Sequence, residues 1–137
     1  MSAAKTRKLI TRYYDAFNRQ DTPAMLDCLA KSFVHDVSQG ERRRGKKKFE
    51  AFLDHMHATY HERLSDIVVM TNTDGSRASA EFNLKGWYLQ TDEGLPPAEG
   101  QKYKLRVGAF FEIKDEKIAR VSTHYNLADW TRQVVGE

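Results

Sequence analysis

The chain has 137 residues, of which 40% are hydrophobic, 30% charged and 11% aromatic, with a net charge of +3 and a single cysteine. That length reads as one domain over residues 1–137, able to bury roughly two-thirds of its unfolded surface around a single core. Without a run of about 18 apolar residues no membrane-spanning helix is expected, and the lone Cys28 excludes an internal disulfide. The opening MSAAKTRKLITRYY has no apolar stretch of signal-peptide type, so the expected location is cytoplasmic.

A first helix is predicted over Ala3–Arg19, where Leu9, Ile10, Tyr13, Tyr14 and Phe17 recur at helical spacing. Asp21 is placed to cap a second helix, with Pro23 near its first turn and Met25, Leu26, Cys28 and Leu29 as its apolar part. A strand follows over Phe33–Ser38 and turns at Gly40. Glu41–Lys48 reads as a polar connection into a third helix, Lys46–Tyr60, with Phe49, Phe52, Leu53, Met56 and Tyr60 on one side. From Leu64 the period changes to two. Leu64–Thr73 and Arg77–Gln90 form strands joined at Asp74-Gly75, a strong hairpin dipeptide. TDEGLPPAEGQ, residues 91–101, must be a loop and is a candidate lid or dimer arm. Strands Lys102–Lys114 and Ile118–Asn126 and a short helix Leu127–Val135 complete the chain.

The basic character is local. Arg42, Arg43, Arg44, Lys46, Lys47 and Lys48 outweigh the net charge, and without them the chain would be acidic. No aromatic side chain is interleaved, so a nucleic-acid surface is disfavoured. The run reads first as a solvated loop, with an anionic ligand group at the pocket mouth, or a protein or nucleic-acid partner, as the alternatives. Three lysines at a helix start oppose the macrodipole, so something other than helix stability keeps them there.

Each long strand pairs an apolar face with a mixed one, which calls for a curved sheet covered by helices on its concave side. Trp87 and Phe110 on the mixed face point to a second copy packed there. In SFVHDVSQG, Asp36 shares a face with Val34 and Ser38, while Phe33, His35 and Val37 take the other. If Val34 is buried, Asp36 lies at the bottom of a pocket, where desolvation raises its pKa into a range useful for a base. Otherwise the carboxylate is structural. His35 then reads as structural or as part of an interface. His55, His57 and His61 lack a third ligand at metal spacing, so no metal is expected, and no cofactor either.

Several strings resemble the nuclear transport factor 2 (NTF2)-like superfamily, in particular its SnoaL-like and ketosteroid isomerase-related members. They are Tyr13-Tyr14-Asp15-Ala16-Phe17-Asn18 with Asp21, Phe33-Val34-His35-Asp36, Gly45-Lys46, Gly108-Ala109-Phe110-Phe111-Glu112-Ile113, and Lys117-Ile118-Ala119-Arg120-Val121. The resemblance implies an α+β fold of cystatin-like, cone shape: three N-terminal helices on a curved antiparallel sheet, a short C-terminal helix, and a homodimer through the sheet's outer face. It also implies a small hydrophobic carbonyl compound in the pocket. Ketosteroid isomerases use a helix tyrosine as oxyanion donor, a strand aspartate as base and a second, protonated aspartate. Carried over, the base falls on Asp36 and the tyrosine on Tyr13, with Tyr14 open. The second aspartate falls on Ala109 and is missing, a loss that elsewhere costs two to three orders of magnitude in turnover. Tyr88 and Tyr125 are its candidate replacements. Phe17, Phe52, Met56, Phe82, Ala109 and Phe111 complete the expected lining, with Trp130 at its mouth. The alternative is a non-catalytic NTF2-like module that binds a ligand or a protein.

Overall fold

The computed structural model describes residues 2–37 and 40–136. Ser2 caps α1 (Ala3–Asn18) by accepting from the Lys5 amide, and Asp21 caps α2 (Thr22–Asp27) by accepting from that of Ala24. Then come β1 (Leu29–Val37), β2 (Arg42–Arg44), α3 (Lys46–Thr59), β3 (Tyr60–Thr71), β4 (Arg77–Tyr88), β5 (Gln101–Lys114), β6 (Lys117–His124) and α4 (Leu127–Val135). Ser38, expected to end the first strand, lies outside the described residues. Among those described, no helix is long and apolar enough to cross a membrane.

The strands form one curved, open sheet in the order β2-β1-β6-β5-β4-β3. The meander β3–β6 is antiparallel as expected, but β1 joins it parallel to β6. That pairing corrects two boundaries. Leu29 sits opposite Ile118, and the Ile118 amide donates to the Cys28 carbonyl at 2.8 Å. Leu29 therefore belongs to β1, and Cys28 is the buried residue that ends α2. The arginine run is likewise a strand rather than a loop, with Arg42, Arg43 and Arg44 opposite Asp36, His35 and Val34.

The two edges of the sheet are β2 and β3, and α3 joins one directly to the other. At a rise of about 1.5 Å per residue, this helix is long enough to bridge the open side. Its buried Phe49 and Leu53 face the core together with Leu9, Ile10, Tyr13 and Tyr14 of α1. Asn18 satisfies the edge of β3: its amide donates to the Leu64 carbonyl at 3.0 Å and accepts from the Leu64 amide at 2.9 Å. Gln133 does the same for Lys104 of β5, with both bonds at 2.8 Å, and so seats α4 on the sheet. Alternation along β4 and β5 is regular, with Ala78, Ala80, Phe82 and Leu84 buried opposite Phe111, Ala109, Val107 and Leu105, and Tyr88 buried at the end of the same face.

Candidate functional site

Between the concave face of the sheet, α1, α3 and α4 lies a cavity of about 1040 Å³. Its wall contains Tyr13, Tyr14 and Phe17 of α1, Phe52 and Met56 of α3, Phe82, Tyr125 and Trp130, all expected there. Both tyrosines of α1 face it. Neither hydroxyl makes a protein hydrogen bond among the described residues, and burial pushes both phenols above their ordinary pKa. They remain neutral donors at any physiological pH. The loop 89–100 folds back over the mouth, where Thr91, Asp92, Glu93 and Leu95 join the lining.

Asp36 is not in the wall. The alternation of β1 is as expected but the faces are exchanged: Phe33 and His35 point inward and are buried, whereas the Asp36 side chain is 26% exposed on the other side. Arg42 grips its two oxygens at 2.7 and 3.0 Å, and Arg120 reaches it at 3.3 Å. Arg120 also pairs with Glu112, which pairs with Arg77 at 3.2 Å. The carboxylate thus belongs to a chain of charges crossing β2, β1, β6, β5 and β4. The Arg42 hydrogen bond holds Asp36 below the usual carboxylate range, against a weaker effect of burial. A pocket base needs the opposite shift. The expectation that Asp36 looks into the hollow is therefore corrected: two cross-strand guanidiniums on one face outcompete an apolar pocket for a carboxylate.

An Asp36→Asn variant tests this assignment. It should lower stability by roughly 1 kcal/mol at neutral pH and leave ligand binding in the cavity intact. Because the native pKa is depressed, the contribution is present above the ordinary aspartate pKa of about 3.9 and disappears as pH falls through the native value. Denaturant midpoints at several pH values measure it. Unchanged stability combined with lost ligand binding would contradict the assignment.

Three other expected lining residues also fall behind the wall. Tyr88 is fully buried and ties down the loop, its hydroxyl donating to the Pro96 carbonyl at 2.7 Å and accepting from the Asp92 amide at 2.9 Å. Ala109 lies between Ala80 and Thr123 on neighbouring strands, too short to reach the cavity. Phe111 packs edge-on behind Tyr13 and Tyr14, with ring centres 6.1 Å apart in both cases.

His35, Asp92 and Glu62 also face the cavity, where sequence reasoning did not place them. His35, read as structural, lies in the wall and is 6% exposed. Burial, then the Arg43 guanidinium, push its imidazole down to about 4, with Asp36 pulling the other way. It is neutral at neutral pH. Asp92 accepts from the Tyr60 hydroxyl at 2.7 Å and bonds His55 at 2.9 Å, fastening the loop across the mouth.

The chemically loaded group is Glu62. β3 begins at Tyr60, directly after α3, instead of at Leu64. Alternation extended back from buried Leu64 puts Glu62 and Tyr60 on the same inward face. One oxygen of Glu62 accepts from the Tyr103 hydroxyl at 2.6 Å. The other has no hydrogen-bond donor among the described residues. Burial raises the Glu62 pKa, and the Tyr103 hydrogen bond partly offsets it. The contact spans an intervening strand: Glu62 of β3, Gly86 of β4 and Tyr103 of β5 form one cross-strand row. Tyr103 lies over Gly86, where a Cβ would come within 2.3 Å of its Cζ. A glycine inside an otherwise bulky strand is the sequence signal for such an approach.

Glu62 and Phe17 also share a small recess beside the cavity. Tyr13 and Tyr14 lie one helical turn from Phe17, so a desolvated carboxyl and two unpaired phenols serve the same space. Among the described residues no group of three or more His, Cys, Asp or Glu side chains could hold a metal ion.

The SnoaL-like domain family matches residues 10–121, most of the chain. The chain belongs to this SnoaL-like family. A crystal structure from Pseudomonas putida KT2440, provisionally named a polyketide cyclase, is 54% identical, with 98% of each chain covered and a TM-score of 0.92. A second protein with that provisional name, from Silicibacter sp. TM1040, is 48% identical over 98% of each chain, with a TM-score of 0.94. An NTF2-like protein of unknown function from Burkholderia pseudomallei K96243, at 16% identity and a TM-score of 0.77, shares the fold over 95% of this chain and 97% of its own. No functionally curated protein matches. The SnoaL-like fold expected from the sequence is thus the fold of this chain, with its short C-terminal helix.

Proposed function

We propose that this SnoaL-like protein binds a small hydrophobic carbonyl compound in the cavity and moves a proton on it, with Glu62 as the acid–base group. The carrying observation is the Glu62 carboxyl, desolvated in the cavity wall, anchored by Tyr103 through one oxygen and, among the described residues, unpaired at the other. A carboxylate raised toward neutrality by burial suits removal of a proton from carbon α to a carbonyl. The C–H proton passes to the free oxygen of Glu62, and the bonding electrons move onto the carbonyl oxygen. Tyr13, with Tyr14 beside it, donates a hydrogen bond to that oxygen, and neutral phenols make such donors without a charge to desolvate. Return of the proton at another carbon gives an isomerase. Attack of the enolate carbon on a second carbonyl, whose oxygen takes up the π electrons and the proton held by Glu62, gives ring closure, the reaction class that the names of the P. putida and Silicibacter proteins suggest.

The test uses 2-tetralone, a planar bicyclic ketone. In D2O the protein should accelerate exchange of its α-hydrogens, followed by NMR, and saturating methyl 2-naphthoate should block the acceleration. Binding without acceleration above buffer would leave the non-catalytic binding module as the better reading.

We also propose that two copies pair through the outer face of the sheet. Met70, Ser79, Phe110 and Ser122 form one row across β3 to β6, and Phe110 is 53% exposed at its centre. Val68 and Met70 extend the apolar surface. Sedimentation should give a dimer for the wild type and a monomer for Phe110→Glu, since a charge there would be desolvated in the interface. A monomeric wild type would overturn this assembly.

A further inference from the structure

The basic run takes no part in the proton transfer, and its side chains separate by face. Arg42 is held by Asp36, and Arg44 points to solvent. Arg43 alternates inward as the cross-strand neighbour of His35. Its guanidinium lies 5.7 Å from the centre of the Phe52 ring, and the His35 ring is 4.7 Å from the same centre. Lys48, one helical turn before Phe52, joins Arg43 in the cavity wall. Among the described residues neither cation makes an ion pair, with Glu41 on the same rim or with any other acid. Among the described residues the buried Nδ1 of His35 beside them has no hydrogen-bond partner either.

This corner is the amino end of α3. Gly45 gives it no side-chain cap, and its first turn holds no acid. The macrodipole therefore adds positive potential where Lys46, Lys47 and Lys48 already stand. Among the described residues the acid of this rim is Glu41, and it is within ion-pair distance of neither cation. The remaining acids of the wall, Glu62, Asp92 and Glu93, belong to β3 and the loop after β4, away from β2.

We infer that Arg43 and Lys48 form an anion subsite that holds a carboxylate of the ligand, so that the ligand class is a hydrophobic keto acid rather than a neutral ketone. This rests on the reading of the cavity as the ligand site. The planar guanidinium accepts a carboxylate through two parallel hydrogen bonds while stacked on Phe52, and Lys48 adds a point charge. β2 and β3 are opposite edges of the sheet, so an anion fixed at β2 directs the other end of the ligand toward Glu62.

The test compares 2-naphthoate with methyl 2-naphthoate, matched in ring system and different in charge, by calorimetry and by quenching of tryptophan fluorescence. The carboxylate should bind about tenfold tighter at low salt, and the advantage should shrink as salt rises. Lys48→Gln and Arg43→Gln should each weaken the carboxylate about tenfold while leaving the ester within about twofold. Lys48 is exposed, so its variant keeps the fold even if loss of the Arg43 stack does not. Equal binding of acid and ester, or an advantage that survives both substitutions, overturns the subsite and leaves the cavity reading standing. Binding of neither compound overturns the cavity reading and the subsite with it.

Discussion

Glu62→Gln should slow α-hydrogen exchange of 2-tetralone by two to four orders of magnitude while changing its affinity by no more than about twofold. The amide is nearly isosteric with the carboxyl and still accepts the hydrogen bond from Tyr103, but it has no basic site for the C–H proton. The wild-type rate should rise with pH through a raised Glu62 pKa, and that limb should be absent from the variant. Stability adds a reading independent of turnover. A carboxyl whose native pKa lies above its unfolded value stabilises least when ionised, so wild-type stability falls as pH rises from about 4.3 through the native pKa. The glutamine variant lacks that slope and should be the more stable protein above it, as chemical melts across pH can show. Exchange that persists in Glu62→Gln, with wild-type affinity, would move the base elsewhere, and neutral His35 would be the next candidate in the wall.

Gly86→Ala should damage the site without touching the ligand. The new Cβ would meet Tyr103 Cζ, Cε2 and Oη at 2.3 to 2.5 Å, and these are the ring and hydroxyl atoms of a fully buried side chain. The ring cannot rotate away freely, because Trp130 packs on its edge at 5.8 Å between centres. Overpacking of this kind costs about 1–3 kcal/mol. Its functional signature is more specific. Displacing the Tyr103 hydroxyl removes the hydrogen bond that lowers the Glu62 pKa, so the acid limb of the exchange profile should move to higher pH. Tyr103→Phe should move the limb in the same direction with a smaller loss of stability, because it removes the hydroxyl and leaves the ring in place. A Gly86→Ala protein with unaltered stability and an unaltered profile would contradict the cross-strand row.

Most of the architecture was legible because it follows from local periods. The stripe of α1, the Asp21 cap, the Asp74-Gly75 turn and the alternation of β4 and β5 each depend on a few neighbouring residues. Errors gathered where a distant strand decided the matter. Leu29 fits the apolar side of a helix equally well until β6 pairs with it. The arginine run reads as a loop until β1 gives it a partner. The alternation of β1 could be read, but which face turned inward could not. Phe33 and Val34 are both apolar, and only Arg42 and Arg120 together decide that Asp36 points outward.

The sequence by itself determined most of the order of elements and the aromatic character of the hollow, because apolar periodicity is a property of adjacent residues, and its strings resembled the SnoaL-like family to which the chain belongs. Tertiary structure alone decided that Glu62 faces that hollow and Asp36 does not. Glu62, Gly86 and Tyr103 are far apart along the chain, and only sheet register brings a carboxyl, a gap and a phenol into one row. The pKa that makes Glu62 useful comes from that burial and not from its place in the chain.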